Sequence, residues 1–213
     1  MTVDVHPGSD AEAAVWATAL GVAEILGDLP WVLVGAHMVM LLEREAGRPT
    51  GRTTGDVDAM VDVRAVAGAT RLAAARLVAA GFACHGGDHA HRFHRGLEQV
   101  DVLASDHLGR RADLTTVPPG TTVGIPGGTR ALATRRELDV RVLGGGDGRL
   151  PVPSLAGGIV PHQTGEVREV RGWSYTAHAD FQRRGLLRAP LVLRSVPSAA
   201  DAVDCLALEL DLY

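Results

Sequence analysis

Three aspartates on two short apolar stretches form the pattern with the clearest chemical meaning. Residues 52–63 read Arg-Thr-Thr-Gly-Asp-Val-Asp-Ala-Met-Val-Asp-Val, and residues 100–103 read Val-Asp-Val-Leu. Because successive side chains of a strand point to opposite faces, Asp56 and Asp58 project together while the alternate apolar residues face a core. Asp101 stands alone between two valines, where a carboxylate without a cationic partner is costly. The pattern predicts a Mg²⁺ site made by these three carboxylates, because Mg²⁺ takes oxygen ligands and nucleotide phosphates.

A glycine turn lies upstream of these acids. The apolar segment from Trp31 to Val34 predicts a short buried strand that runs into Gly35 and Ala36, and a helix is expected to follow. Glycine at such a turn lets a phosphate approach the helix N–H groups, where the helix dipole favours anions. In this arrangement the metals bridge triphosphate oxygens, and Asp101 also orients or deprotonates an attacking hydroxyl. Catalysis would then consist of positioning and charge neutralisation.

This order of elements resembles the nucleotidyltransferase superfamily, which has a polymerase-beta-like fold, and is most similar to the AbiEii/MenT-type toxin branch. The resemblance covers roughly residues 31–160. It is carried by Val34-Gly35-Ala36, Arg52-x-Thr54-x-Asp56-x-Asp58, Gly81-Phe82, His91-Arg92-Phe93 and Val100-Asp101-Val102-Leu103.

The resemblance implies a Mg²⁺-dependent enzyme that moves a nucleoside monophosphate from an NTP to an acceptor hydroxyl. It implies a tRNA end or a protein as the acceptor, and a cognate antitoxin as a partner. The implied metal ligands are Asp56, Asp58 and Asp101, of which Asp101 is also catalytic. The implied nucleotide-binding residues are Gly35, Ala36, Arg52, Thr54 and Arg92.

Two other functions stay open from the residues. Transfer to a small hydroxylated antibiotic uses the same acidic site. A non-catalytic member that binds a nucleotide or a partner is the other alternative, because Ala36 stands where the family has Gly or Ser. The chain also contains no lysine, whereas the family has a lysine-bearing helix after the segment that ends here at Val160. A complete acidic triad favours an enzyme.

The elements that must position these residues predict an α/β (α+β) fold with a small mixed sheet and flanking helices. We expect an N-terminal helix in residues 1–27, a nucleotidyltransferase-like domain in 28–150 and a small C-terminal region in 151–213. Helices are predicted at 11–25, 38–45 and 70–80, and strands at 31–34, 57–63, 90–94 and 99–105. Residues 115–128 are predicted to be a loop with a turn at Gly127-Gly128, residues 131–143 a strand or hairpin, and residues 144–148 a turn. Pro151 to Ser154 is predicted to cap a helix from Leu155.

Composition limits the class of protein. The 213 residues are 46% hydrophobic and 22% charged, which is typical of a globular chain. A net charge of −4 gives no general signal for nucleic-acid binding, and all 21 basic residues are arginine. The two cysteines form no disulfide framework. With no leader-like start and no apolar run of about 18 residues, we expect a cytoplasmic bacterial protein without a membrane span.

Several other polar residues have ordinary structural interpretations. Asp62 continues the strand of the Asp-x-Asp pair, and we expect it to be a surface acid. The acidic and imidazole groups at His85, Asp88, His89, His91 and His94 match no closed zinc motif, so a polar hairpin face is favoured. Arg183, Arg184 and Arg188 could contact RNA, but a solvated charged segment is the favoured interpretation.

Overall fold

A computed structural model of the chain describes residues 2–47, 54–84, 89–109 and 111–154. Its elements are β1 (Thr2–Val5), α1 (Asp10–Leu26), β2 (Trp31–Val34), α2 (Gly35–Glu45), β3 (Val57–Val61), α3 (Ala69–Ala79), β4 (Ala83–Cys84), β5 (Arg92–Arg95), β6 (Glu98–Ser105), β7 (Gly124–Ile125), α4 (Gly128–Ala133), β8 (Arg135–Val142) and β9 (Gly146–Pro153). Helices and strands alternate from β1 to β4, and the later elements are mostly strands. The predicted mixed α/β fold class is confirmed.

The strands form two sheets. The larger has the order β2-β3-β6-β5-β4, with β7 also pairing with β6, and the smaller has the order β1-β8-β9. In the larger sheet β3 and β6 are parallel, whereas β2–β3, β5–β6 and β4–β5 are antiparallel. The parallel pair is possible because α3 crosses over between β3 and β6. The two strands that carry the aspartates are therefore neighbours.

Strand parity gives the larger sheet two different faces. Val57, Ala59 and Val61 are fully buried in a core that also contains Trp16 of α1 and Leu77 of α3. The opposite face carries a smaller apolar cluster, whose buried members are Val32, Val34, Met60, Leu103, Ile125 and Ala131. The second face also carries the alternate positions of β3 and β6, which are those of the aspartates. The predicted division between core residues and acids is confirmed.

Helix α1 covers the predicted residues 11–25 and extends one residue further at each end. The hydroxyl of Ser9 accepts a hydrogen bond from the Glu12 N–H at 3.2 Å, and the Glu12 carboxylate accepts one from the Gly8 N–H at 2.8 Å. This reciprocal pair satisfies two amides at the start of the helix. The helix ends before Gly27, whose φ of 53° is in the left-handed region that glycine adopts easily. None of the helices in the described ranges is long and apolar enough to cross a membrane.

Two sequence predictions are corrected at the ends of the described chain. The segment 1–27 contains a strand as well as a helix, because β1 pairs in parallel with β8. Residues 151–153 continue β9 and do not cap a helix, and Leu155 lies outside the described residues. Pro151 and Pro153 have no N–H group. Because they are two positions apart, the missing donors would both have pointed to the same edge of the strand. In the part of the chain that the structure describes, β9 is an edge strand, and prolines there need cost no ladder hydrogen bond.

The predicted turn at Gly127-Gly128 is confirmed at Gly127 and corrected at Gly128, which is the first residue of α4. Gly127 caps the helix with a φ of 79°, and the Asp106 carboxylate accepts hydrogen bonds from the N–H groups of Gly127 and Thr129. A Cβ on Gly128 would lie 2.5 Å from the Met60 sulfur. Gly128 is therefore required for close packing of α4 on the sheet. A helix of 6 residues is too short to show a clear hydrophobic period.

Candidate metal and phosphate site

One row of residues across the larger sheet organises the site. Val34 of β2 lies opposite Asp58 of β3, Asp58 lies opposite Asp101 of β6, and Asp101 lies opposite Arg92 of β5. Residues that share a row in adjacent strands project to the same face of the sheet. Two aspartates and an arginine that are far apart in sequence therefore project side by side.

The three predicted carboxylates converge. One oxygen from each of Asp56, Asp58 and Asp101 lies within 4.8 Å of the others. Oxygens on opposite sides of a Mg²⁺-sized ion are roughly 4 Å apart, and paired catalytic ions are about 3.5–4 Å apart. The spacing and the all-oxygen donor set thus fit a hard divalent cation after small side-chain rotations.

The site strongly disfavours three negative charges. The pKa of Asp58 is raised to about 7, first by burial and then by the neighbouring carboxylates of Asp56 and Asp101, while Arg92 opposes the shift. A bound cation would reverse this balance by favouring the ionised form. The electrostatics therefore favour a proton or a cation at this position.

Asp56 is held by neutral donors. It lies just before β3, and its Oδ1 accepts a hydrogen bond from the Thr54 hydroxyl at 2.6 Å. Its Oδ2 accepts a longer one, at 3.4 Å, from the amide of Gln99. Thr54, predicted as a nucleotide-binding residue, thus orients a metal-ligand candidate. Gln99 was not predicted, although its position two residues before Asp101 places it on the same strand face.

The predicted glycine turn begins a helix directly beside this row. Gly35 is the first residue of α2 and follows Val34, the row partner of Asp58. Its φ of 67° explains why glycine occupies the position. No side chain caps α2, so the first N–H groups of the helix are not satisfied by a capping side chain. Gly35 and Ala36 therefore stand where an anion could meet the helix N-terminus.

Arg92 binds Asp101 through two hydrogen bonds. Its Nε donates to Oδ1 at 2.9 Å and its Nη2 donates to Oδ2 at 2.8 Å. The pair holds Asp101 in a fixed orientation, and it raises the pKa of Arg92 above its already high ordinary value. The other predicted arginine, Arg52, lies outside the described residues.

His37 is a second residue that the sequence did not indicate. It is 1% exposed, and its ring meets the indole of Trp16 edge-on at a centroid distance of 4.8 Å. Burial lowers the pKa of His37 to about 4, against the attraction of the Asp56 carboxylate and a hydrogen bond to the Asp56 backbone. A neutral imidazole thus packs between Trp16 and Asp56. A single histidine in an apolar helix gives no sequence signal for this role.

Asp62 and the described histidines of the predicted polar hairpin are not part of the acidic triad. Asp62 accepts hydrogen bonds from the N–H groups of Arg64 and Ala65 and so stabilises the turn after β3. Within residues 2–47, 54–84, 89–109 and 111–154, the triad is the only group of three or more His, Cys, Asp or Glu side chains placed to share an ion. His85, Asp88 and the arginines at 183, 184 and 188 fall outside the described residues.

Comparison with known proteins adds no family to this geometry. No protein-family model matches the chain, and neither a curated protein nor a solved structure matches it. The resemblance to nucleotidyltransferases therefore stays a prediction from the motif residues of the chain.

Proposed function

We propose that this protein is a Mg²⁺-dependent nucleotidyltransferase that moves a nucleoside monophosphate from an NTP to an acceptor hydroxyl. The observation that carries the proposal is the row in which Asp58 and Asp101 lie opposite each other, beside the uncapped start of α2. Carboxylates suit the metal and helix N–H groups suit a phosphate. The two features together match a metal-bound polyphosphate better than either feature alone does.

Each group has a role in this reaction. Asp56, Asp58 and Asp101 would hold the metal, which when bound supplies charge neutralisation for the phosphate oxygens. Gly35 and Ala36 would bind a phosphate through their N–H groups. The acceptor oxygen attacks the α-phosphorus, the bond from that phosphorus to the bridging oxygen breaks, and pyrophosphate leaves. Asp101 orients the acceptor hydroxyl, whose proton passes to a carboxylate or to solvent.

The acceptor and the setting belong to the same proposal. By the resemblance of its motifs, the acceptor is a tRNA end or a protein hydroxyl, in the bacterial cytoplasm, and a cognate antitoxin restrains the activity. A small hydroxylated antibiotic and nucleotide binding without turnover are the competing functions. Both would use the same triad, so the acceptor must be found by experiment.

Labelled nucleotides test the proposal directly. The protein is incubated with each α-labelled NTP, Mg²⁺, bulk tRNA and cell extract, and label transfer is followed on denaturing gels. We expect transfer to one class of acceptor. Asp58→Asn should reduce its rate by about 10²–10⁴, whereas Asp62→Asn, a matched change outside the triad, should not change it. Transfer that is equal in all three proteins would reject the site. Nucleotide binding with no transfer to any acceptor would favour the non-catalytic alternative.

A further inference from the structure

The Arg92–Asp101 pair occupies the oxygens that a metal would use. Both Asp101 oxygens accept a hydrogen bond from the guanidinium, at 2.9 and 2.8 Å. The same carboxylate supplies one of the three oxygens that lie within 4.8 Å of each other. A guanidinium and a divalent cation on one carboxylate repel each other, and a bidentate pair leaves its oxygens little freedom to turn. Arg92 and a metal therefore oppose each other at Asp101.

Among the described residues, Arg92 has more room to move than Asp101. The Asp101 side chain is 7% exposed, but that of Arg92 is 48% exposed. Within the described residues, the hydrogen bonds found for the Arg92 guanidinium both go to Asp101. Movement of Arg92 toward solvent would thus cost one ion pair and would disturb no other hydrogen bond found there.

Arg95, on the same strand, shows the contrasting arrangement of an anchored arginine. Three positions after Arg92 on β5, it lies on the opposite strand face and pairs with Glu98. It also donates to the Ala80 carbonyl at 2.8 Å, and its guanidinium lies 4.4 Å from the centre of the Phe82 ring. Arg95 has several partners from different elements, so it is a suitable matched control for Arg92.

We propose that Arg92 is a displaceable counter-ion: it neutralises Asp101 when the site holds no metal, and a metal that binds there releases it to contact the triphosphate. The release depends only on metal binding, whereas the contact with the triphosphate rests on the proposed function. Arg92 would then couple the two ligands, because a polyphosphate gains a cationic partner only after the metal has entered. A planar guanidinium suits either a carboxylate or a phosphate through paired hydrogen bonds.

Metal binding in the absence of nucleotide tests whether a metal displaces Arg92 from Asp101. Mn²⁺ is titrated into the wild-type protein, Arg92→Gln and Arg95→Gln, and free Mn²⁺ is measured by electron paramagnetic resonance. We expect Arg92→Gln to bind Mn²⁺ about tenfold more tightly than the wild type, because a competing cation is gone. Arg95→Gln should bind it as the wild type does. Equal or weaker Mn²⁺ binding by Arg92→Gln, or no saturable binding by any of the proteins, would overturn the proposal.

Nucleotide binding in saturating Mn²⁺ tests whether the released Arg92 contacts the triphosphate. A non-hydrolysable NTP analogue is titrated by calorimetry, and Arg92→Gln should bind it about tenfold more weakly, with part of the loss restored in Arg92→Lys. Unchanged analogue binding in Arg92→Gln would overturn the contact with the triphosphate. If no protein binds any analogue while Arg92→Gln still binds Mn²⁺ more tightly, the proposed function fails and the displacement of Arg92 by metal stands.

Discussion

Asp58 and Asp101 lie directly opposite each other on adjacent parallel strands, β3 and β6. Like charges that face each other across a ladder destabilise a sheet, and the repulsion is stronger here because Asp101 is buried and Asp58 is partly buried. The pair is therefore unfavourable for the sheet alone, and it becomes favourable when a cation lies between the two carboxylates. The stability of the metal-free protein and its affinity for a cation are therefore opposed at these two residues.

Replacing Asp58 by Asn should stabilise the metal-free protein and weaken metal binding. The change removes one charge from the cluster and nearly keeps the shape of the side chain. We expect a higher unfolding midpoint than that of the wild type in a chelator, a lower Mn²⁺ affinity, and a rate of label transfer reduced by about 10²–10⁴. Thermal unfolding with and without Mn²⁺ measures both effects. Asp62→Asn is the control, and equal metal responses in the two variants would contradict the prediction.

Replacing Thr54 by Val should weaken the site without unfolding the protein. Valine keeps the shape of threonine but removes the hydroxyl that donates to Asp56 at 2.6 Å. Groups that orient a metal ligand typically contribute about 10–100-fold to metal affinity. We therefore expect Mn²⁺ affinity to fall by about tenfold in Thr54→Val and to recover in Thr54→Ser. Equal affinity in the two variants would show that the hydroxyl does not orient Asp56.

Replacing Gly128 by Ala should destabilise the fold. The new Cβ would lie 2.5 Å from the Met60 sulfur and 2.8 Å from the backbone Cα of Ser105, so the backbone must shift. Such overpacking typically costs about 1–3 kcal/mol. Gly21→Ala is the matched control, because Gly21 lies inside α1 with nothing within 4 Å of a new Cβ. That variant should be more stable by about 0.5–1 kcal/mol. Urea unfolding of both variants measures the free energy of unfolding, which should fall in Gly128→Ala and rise in Gly21→Ala.

His37 should make the protein less stable in mild acid. Its pKa is lowered to about 4 in the folded protein from 6.5, so the unfolded state binds the proton more tightly. The stability that His37 contributes is complete above pH 6.5 and is lost as the pH falls toward 4. The full effect is about 3 kcal/mol.

The difference in the free energy of unfolding between the wild type and His37→Gln separates the contribution of His37 from that of Asp58. The raised pKa of Asp58 acts with the opposite sign between its ordinary value of 3.8 and about 7, because its folded state binds the proton more tightly. Urea unfolding of the wild type and of His37→Gln, each in a chelator, is measured at pH 7.5, 6.5, 5.5 and 4.5. The stability of the wild type relative to His37→Gln should decrease steadily as the pH falls. A constant difference would show that His37 does not titrate in this way.

Strand parity made part of the site predictable from sequence. Asp56 and Asp58 alternate with apolar residues, and Asp101 interrupts an apolar run, so the face of each could be predicted locally. The bond between Arg92 and Asp101 could not, because it depends on the register of β5 against β6. Short elements such as β1 and α4 were missed because they span little more than one hydrophobic period. The packing of His37 depends on the tertiary contacts of α2 with Trp16 of α1 and with Asp56 before β3, which no local pattern reports.

The row from Val34 to Arg92 also determines which segments of this chain can change in length. Between β3 and β6 the chain runs through α3, β4 and β5. Strand β5 carries Arg92 of the row, whereas the turns at the two ends of α3 lie outside it. Insertions there leave the pairing of Asp58 with Asp101 intact, since longer surface connections cost little free energy. A single residue inserted within β3 would instead turn one of its acids to the apolar face. Homologous chains should therefore differ freely in the length of their connections while keeping the spacing of residues within these two strands.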